Sequence, residues 1–170
     1  LCEKYNIPIL SLCDTPGMMV GPEIEETGLV RHCCRLFLAG ANVTVPMMTI
    51  VLRKAYGLGA QAMAGGSFMA PQFVVGWPTA EIGAMGLEGA VKLGYRKELE
   101  AESDVEKKEK LFKKLVDDLY EKGKAINAAS LLEFDTVLEP IESRDWISMV
   151  VESPINSSEK VPKNRYIDSW

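Results

Sequence analysis

The sequence predicts an α/β domain built on a parallel sheet, and three observations carry that prediction. Residues 8–13, 45–52 and 72–75 are short, nearly continuous apolar runs, as expected of strands buried on both faces. Segments of helical spacing separate them, which gives the order β-α-β-α-β and parallel strand connections. The first run stops at Asp14-Thr15-Pro16-Gly17, a turn at the carboxyl end of a strand, where α/β sheets keep their ligands.

After the loop at 18–22, the segment 25–39 sets Leu29, Cys33, Leu36 and Phe37 at three- and four-residue intervals, and Gly40 is placed to stop this helix. The second strand tolerates Pro46 at its start and continues through Thr49, Ile50 and Val51. Gly57-Leu58-Gly59 then opens a small-residue helix over 60–64, ended by Gly65-Gly66. From Arg96 to Lys124, nine basic and nine acidic residues surround a stripe of Leu111, Leu115 and Leu119 flanked by Phe112 and Val116. This predicts one amphipathic helix with a solvated outer face and little functional weight, started by a capping box of Ser103 and Glu106. Residues 125–133 extend or follow it, 136–138 form a short strand or turn, and Ser143 caps a last helix through Trp146 and Met149. The domain therefore covers 1–151, and the tail 152–170, with Pro154, Pro162 and no periodicity, reads as an extended arm.

Composition narrows the function classes. With 19 Lys plus Arg against 24 Asp plus Glu, the net charge of −5 argues against a nucleic-acid partner, which needs a basic face. A hydrophobic share of 47% with 25% charged residues is that of an ordinary globular domain. Cys2, Cys13, Cys33 and Cys34 form no C-x-x-C pair and point to a reducing compartment. His32 is the single histidine, so neither a zinc site nor a Ser-His-Asp triad is expected, and it reads as a surface or second-layer residue. The first six residues lack the basic start and apolar core of a signal peptide, and the missing initiator Met reads as a fragment. Residues 55–80 carry no charge over a length sufficient to cross a bilayer, but five glycines with Pro71 and Pro78 break the run, so no membrane span is expected. Such a stretch suits buried turns beside a ligand or a subunit contact.

Two phosphate-binding readings fail on their missing parts. Asp14-Thr15-Pro16-Gly17 has the D-x-x-G form, yet no glycine-rich loop ending in Gly-Lys-Ser/Thr accompanies it. Gly57-Leu58-Gly59-Ala60-Gln61-Ala62 matches G-x-G-x-x-A, with Glu81 downstream as the ribose contact of a nicotinamide binder. Against this, residues 53–56 stand between the apolar run and the first glycine, where a dinucleotide fold turns at once. The small residues equally serve tight helix-on-sheet packing. They also leave backbone N–H groups open to a ligand oxygen, the construction of an oxyanion hole.

Six blocks in order carry a resemblance: Asp14-Thr15-Pro16-Gly17, Gly28-Leu29-Val30-Arg31-His32, Ala41-Asn42-Val43-Thr44-Val45-Pro46, Arg53-Lys54-Ala55-Tyr56-Gly57, Trp77-Pro78-Thr79-Ala80-Glu81-Ile82 and Met85-Gly86-Leu87-Glu88-Gly89-Ala90. Together they resemble the carboxyltransferase subunit of biotin-dependent acyl-CoA carboxylases, the propionyl-CoA carboxylase β-like type. The closing Tyr166-Ile167-Asp168-Ser169-Trp170 is similar to the family's C-terminus. The resemblance implies a crotonase-like (ClpP/crotonase) ββα superhelical domain, here the C-terminal part and incomplete at its N-terminal side. It implies carboxyl transfer from carboxybiotin, borne by a partner carrier protein, to the α-carbon of an acetyl- or propionyl-CoA type substrate. A biotin carboxyl carrier, a biotin carboxylase subunit and a second copy in a dimer-type contact would be partners. The cytoplasm, or the mitochondrial matrix in a eukaryote, would be the location.

By an ungapped match the biotin-carbonyl oxyanion hole falls at Leu58 and Gly59, with Ala60 the neighbouring alternative. Gly57, Gly59, Met85 and Gly86 are the implied biotin-binding positions. The position that relatives fill with an acidic residue, associated with acyl choice, is Gln61, which leaves the acyl substrate open. Each oxyanion donor would contribute on the order of 3 kcal/mol. Asp14–Gly17 is expected to shape a strand end, and no metal is required. A non-catalytic assembly fragment, a biotin-dependent decarboxylase subunit and the nicotinamide binder are the alternatives.

Overall fold

The computed structural model describes residues 1–153. In chain order its elements are α1 (Cys2–Tyr5), β1 (Ile9–Thr15), α2 (Pro22–Glu26), α3 (Leu29–Asn42), β2 (Met47–Tyr56), α4 (Gly57–Met63), β3 (Phe73–Gly76), β4 (Glu81–Gly83), α5 (Leu87–Gly94), α6 (Arg96–Ala101), α7 (Val105–Gly123), α8 (Ala125–Ser130), β5 (Thr136–Val137) and α9 (Ser143–Val151), with a 3-10 turn at Pro140–Glu142. The sheet runs β1-β2-β3-β5, with β4 against the last residues of β2, and every pairing is parallel.

β2 is the axis of this sheet. Its side chains are buried alternately on both faces, which its apolar run of Met48, Thr49, Ile50 and Val51 requires. On one face Val51, Ala55 and Val74 meet Ala60 of α4, Ala125 and Ala128 of α8, and Phe134. On the other, Met48, Ile50, Phe73 and Val75 meet Leu138 and the α9 residues Trp146, Ile147 and Val150. Phe73 and Trp146 stack edge-to-face at 5.5 Å, and the Trp77 indole donates to the Ser143 hydroxyl at 2.9 Å. The α/β class and the β-α-β-α-β order expected from the sequence are both present.

Several boundaries differ from expectation, each for a visible reason. The helix expected over 25–39 is two, α2 and α3, separated at Gly28, which has φ of 73°. Gly40 does not stop α3, which continues to Asn42. Its role is close approach: a β-carbon there would stand 2.6 Å from the Gly65 carbonyl oxygen. The single helix expected over 96–124 breaks into α6 and α7, and the cap of α7 is Asp104, whose carboxylate accepts from the Glu106 and Lys107 N–H groups at 2.9 and 3.2 Å. An anionic cap suits a helix N-terminus better than the Ser103 hydroxyl one residue earlier. Ser143 is not a cap either; Glu139 and Glu142 form the capping box of the 3-10 turn, and the Ser143 hydroxyl is buried against Trp77. β4 and α5 were not expected at all, and β2 runs four residues beyond Leu52. The arm expected over 152–170 lies outside the described residues from 154 onward.

β1 pairs with β2 on one side only among the described residues, and Leu10, Leu12, Val30 and Leu36 are exposed. An open strand edge with nearby apolar surface favours association. Light scattering of the chain at micromolar concentration is therefore expected to show species larger than a monomer, and a monodisperse monomer would contradict this.

Candidate active site

The carboxyl ends of β1, β2 and β4 open into one cavity of about 930 Å³. Its walls come from the turn after β1, the start of α3, the β2–α4 junction, the β4–α5 connection, and Val116 and Tyr120 of α7. Most of the surface is apolar, from residues such as Met18, Leu29, Leu58, Met85 and Leu87, which is how ligand cavities are commonly built.

The β2–α4 junction owes its shape to two irregularities. Between Cys13 and Thr15 the register with β2 shifts from Val51 to Ala55, so β2 carries two extra residues. Asp14 absorbs the shift: its carboxylate accepts from the Lys54 N–H at 3.1 Å and pairs with the Arg53 guanidinium at 3.1 Å. The Arg53 hydrogen bond, then that from the Lys54 backbone, holds the Asp14 carboxyl below its ordinary pKa. Two residues further on, Gly57 turns the chain at φ of 58° straight out of β2 and into α4. The objection that residues 53–56 separate strand from glycine therefore falls, because those residues are strand.

The expected site residues divide. Gly57, Leu58, Met85 and Gly86 line the cavity together. No side chain caps the start of α4, so its first backbone N–H groups are free of side-chain competition. Gly59 sits against the turn after β1: a β-carbon there would stand 3.0 Å from the Gly17 carbonyl carbon and 3.1 Å from its Cα. Substituting Gly59 thus disturbs backbone packing as well as any N–H donor. Ala60 is fully buried in the core, and Gln61 is exposed on α4 outside the cavity lining. His32 is exposed on α3, and burial, then the Asp14 charge, pushes the Cys13 thiol up to about 11.

The polar part of the cavity had less weight in the sequence. Glu81, the ribose contact of the nicotinamide-binder alternative, lies 93% buried on β4 and faces the cavity. Tyr56 directs its hydroxyl to it, and burial, then the Glu81 charge, raises the phenol's pKa well above its ordinary value. Tyr120 completes the group from α7, the helix whose charge pattern masked its wall. The signal available was the four-residue spacing of Val116 and Tyr120 on the apolar side of α7.

Asp14 gives a testable pH dependence. Its pKa is lowered in the folded state, so its contribution is complete above the unfolded carboxyl value near 3.9 and is lost as pH falls through the folded value. Because the pair is partly exposed, Asp14→Ala is expected to cost about 1 kcal/mol in urea unfolding at pH 7, with the difference from wild type shrinking as pH falls below about 4. A difference independent of pH would contradict this account.

Comparison with known proteins adds a lineage to this geometry. A family model described as "Carboxyl transferase domain" matches residues 1–167. The carboxyltransferase subunit of propionyl-CoA carboxylase from Haloferax mediterranei is 39% identical over 145 residues, which is 85% of this chain and 27% of that protein. The transcarboxylase 12S structure, a hexamer assembly with methylmalonyl-coenzyme A and methylmalonic acid bound, superposes with a TM-score of 0.83 at 31% identity, over 98% of this chain and 32% of that one. A single-chain, multi-domain long-chain acyl-CoA carboxylase superposes with a TM-score of 0.77 at 53% identity, over 88% of this chain and 14% of that one. The chain spans less than one third of the length of each of these.

Proposed function

The chain belongs to the carboxyl transferase domain family, with a crotonase-like fold, and from that premise we propose that it forms the biotin side of a carboxyltransferase site in a biotin-dependent acyl-CoA carboxylase. The reaction moves a carboxyl group between biotin and the α-carbon of an acyl-CoA. The observation that carries this reading is the cavity at the carboxyl ends of β2 and β4, where Gly57, Leu58, Met85 and Gly86 converge.

The residues present fit a fused, largely apolar ring with one polar carbonyl. Leu58 and Met85 give the walls apolar area, and the uncapped first turn of α4 offers backbone N–H groups to the ring oxygen. Biotin, carried by a partner protein, would supply the carboxyl group and a ureido nitrogen able to take up the α-proton. Leu58 and Gly59, with Ala60 the alternative, would hold charge developing on that oxygen, a preorganised role that requires no reorganisation during reaction. Gly57 allows the backbone to turn into that position. Gln61 would act on acyl choice only from outside the cavity lining described above. A biotin carboxyl carrier, a biotin carboxylase and a second copy of the subunit would be the partners. Among the described residues, no helix is long and apolar enough to cross a membrane.

An acetyl- or propionyl-CoA type substrate is the first reading of the acyl group. A long acyl chain is the second, favoured by the 53% identity to a long-chain acyl-CoA carboxylase. The test is biotin-dependent decarboxylation of malonyl-CoA, methylmalonyl-CoA and a long-chain 2-carboxyacyl-CoA by the complete subunit, with the chain alone assayed in parallel. Release of carbon dioxide that requires biotin is expected from the complete subunit, and the preferred thioester identifies the acyl class. No biotin-dependent turnover of any of them would contradict the carboxyltransferase reading, and leave a non-catalytic assembly role. Net decarboxylation without carboxylation in the complete enzyme would place it with the decarboxylases.

A further inference from the structure

Among Glu25, Cys33, Lys54, Glu81 and Glu88, cavity side chains that the proposed chemistry does not yet use, the Glu81 carboxylate is the most buried. It is 93% buried, and no cation approaches it within ion-pair distance among the described residues. Lys54 lies opposite it in the β2–β4 register and lines the same cavity, but its ammonium makes no ion pair with Glu81. Lys124, bridged to Glu81 through the backbone, directs its ammonium to Glu121 at 2.7 Å. The side-chain partner that remains is the Tyr56 hydroxyl, held protonated and therefore a donor.

One phenol does not satisfy a buried carboxylate. A carboxyl group has about four acceptor positions, and one phenol hydroxyl fills only one of them. Its placement is nonetheless tightly specified. Tyr56 lies across Gly83, where a β-carbon would stand 2.8 Å from the ring, so the phenol is fixed over β4 on the side of Glu81. A largely buried carboxyl group that lines a cavity and has one phenol as its side-chain partner suits a ligand that brings N–H donors and no negative charge at that point.

Resting on the carboxyltransferase reading, we propose that Glu81, oriented by Tyr56, accepts a hydrogen bond from an amide-type N–H of a substrate in this cavity. Two substrates of the reaction carry such groups: the ureido ring of biotin and the pantetheine arm of the acyl-CoA. The shared chemistry is a neutral N–H next to a carbonyl. Glu81 touches substrate in this arrangement, whereas Tyr56 acts through Glu81 and is a positioning residue.

The experiment is steady-state kinetics of biotin-dependent 2-carboxyacyl-CoA decarboxylation by the complete subunit, comparing wild type with Glu81→Gln and Tyr56→Phe, with thermal unfolding of each. Losing a hydrogen bond to a charged acceptor is expected to raise one KM about tenfold or more in Glu81→Gln, with a smaller rise in the same KM in Tyr56→Phe. A rise confined to free biotin identifies the ureido N–H, and a rise confined to the acyl-CoA identifies the pantetheine. Because glutamine is nearly isosteric and its amide oxygen can still accept from the Tyr56 hydroxyl, the melting temperature is expected to stay level. A lowered melting temperature with both KM values unchanged would make Glu81 a structural residue and overturn the proposal. Unchanged KM values with unchanged stability would overturn it as well, while an inactive wild type would instead remove the carboxyltransferase reading on which it rests.

Discussion

Two backbone turns press together with no side chain between them, and the cavity exists because of that contact. Gly17 lies against the Tyr56 carbonyl, where its own β-carbon would come within 3.3 Å, and Gly59 lies against Gly17 from the other direction. Any side chain at Gly59 would force the turn after β1 away from the β2–α4 junction. Asp14 holds the same region from below by answering the N–H that the two extra residues of β2 leave unpaired by β1. The turn after β1, the β2–α4 junction and the β4–α5 connection are thereby held around one cavity.

Electrostatics in the cavity is arranged by exclusion as much as by attraction. The charged residues of α7 stay on its outer side, and its contribution to the wall is Val116 and the Tyr120 ring. Arg53 is spent on Asp14, and Lys124 on Glu121. Facing the space are Glu81 with its phenol partner, Lys54, Glu25, Glu88 and the uncapped backbone at the start of α4. Donors of backbone origin on one side and a carboxylate acceptor on another would orient a ring that carries both a carbonyl and N–H groups. His32 is exposed on α3 and Cys13 is buried; the Cys33 side chain lines the cavity but is given no role in the chemistry proposed.

The sheet was legible in the sequence where burial is two-sided. Met48 to Val51 are buried on both faces, as a nearly continuous apolar run predicts, whereas the expectation of two-sided burial fails for β1, whose Leu10 and Leu12 are exposed while Cys13 is buried. The last four residues of β2 were not legible, since Arg53 and Lys54 look like the start of a loop; their polarity reflects the register shift answered by Asp14, which only pairing reveals. β4 escaped notice because three residues carry too little pattern. Asp104 outcompeted Ser103 as a cap at a spacing one residue different. Of the site, Gly57, Leu58, Met85 and Gly86 were reachable through the resemblance, and the family match over residues 1–167 supports that resemblance. Tyr120 was hidden by the charge density of α7, and the burial of Glu81 by the shortness of β4, since its neighbour Lys54 comes into place only through strand pairing.

The most direct test of the account is where biotin touches the protein. Methyl NMR of methionine-labelled carboxyltransferase titrated with free biotin reads this out, because Met18, Met19 and Met85 line the cavity while Met48 is buried in the core beneath the sheet and Met69 and Met149 are exposed outside the cavity lining. Shifts confined to Met18, Met19 and Met85, and absent from the other three, are the predicted result. Saturable shifts at Met69 or Met149 with Met85 unmoved would place biotin elsewhere and contradict the assignment of this cavity.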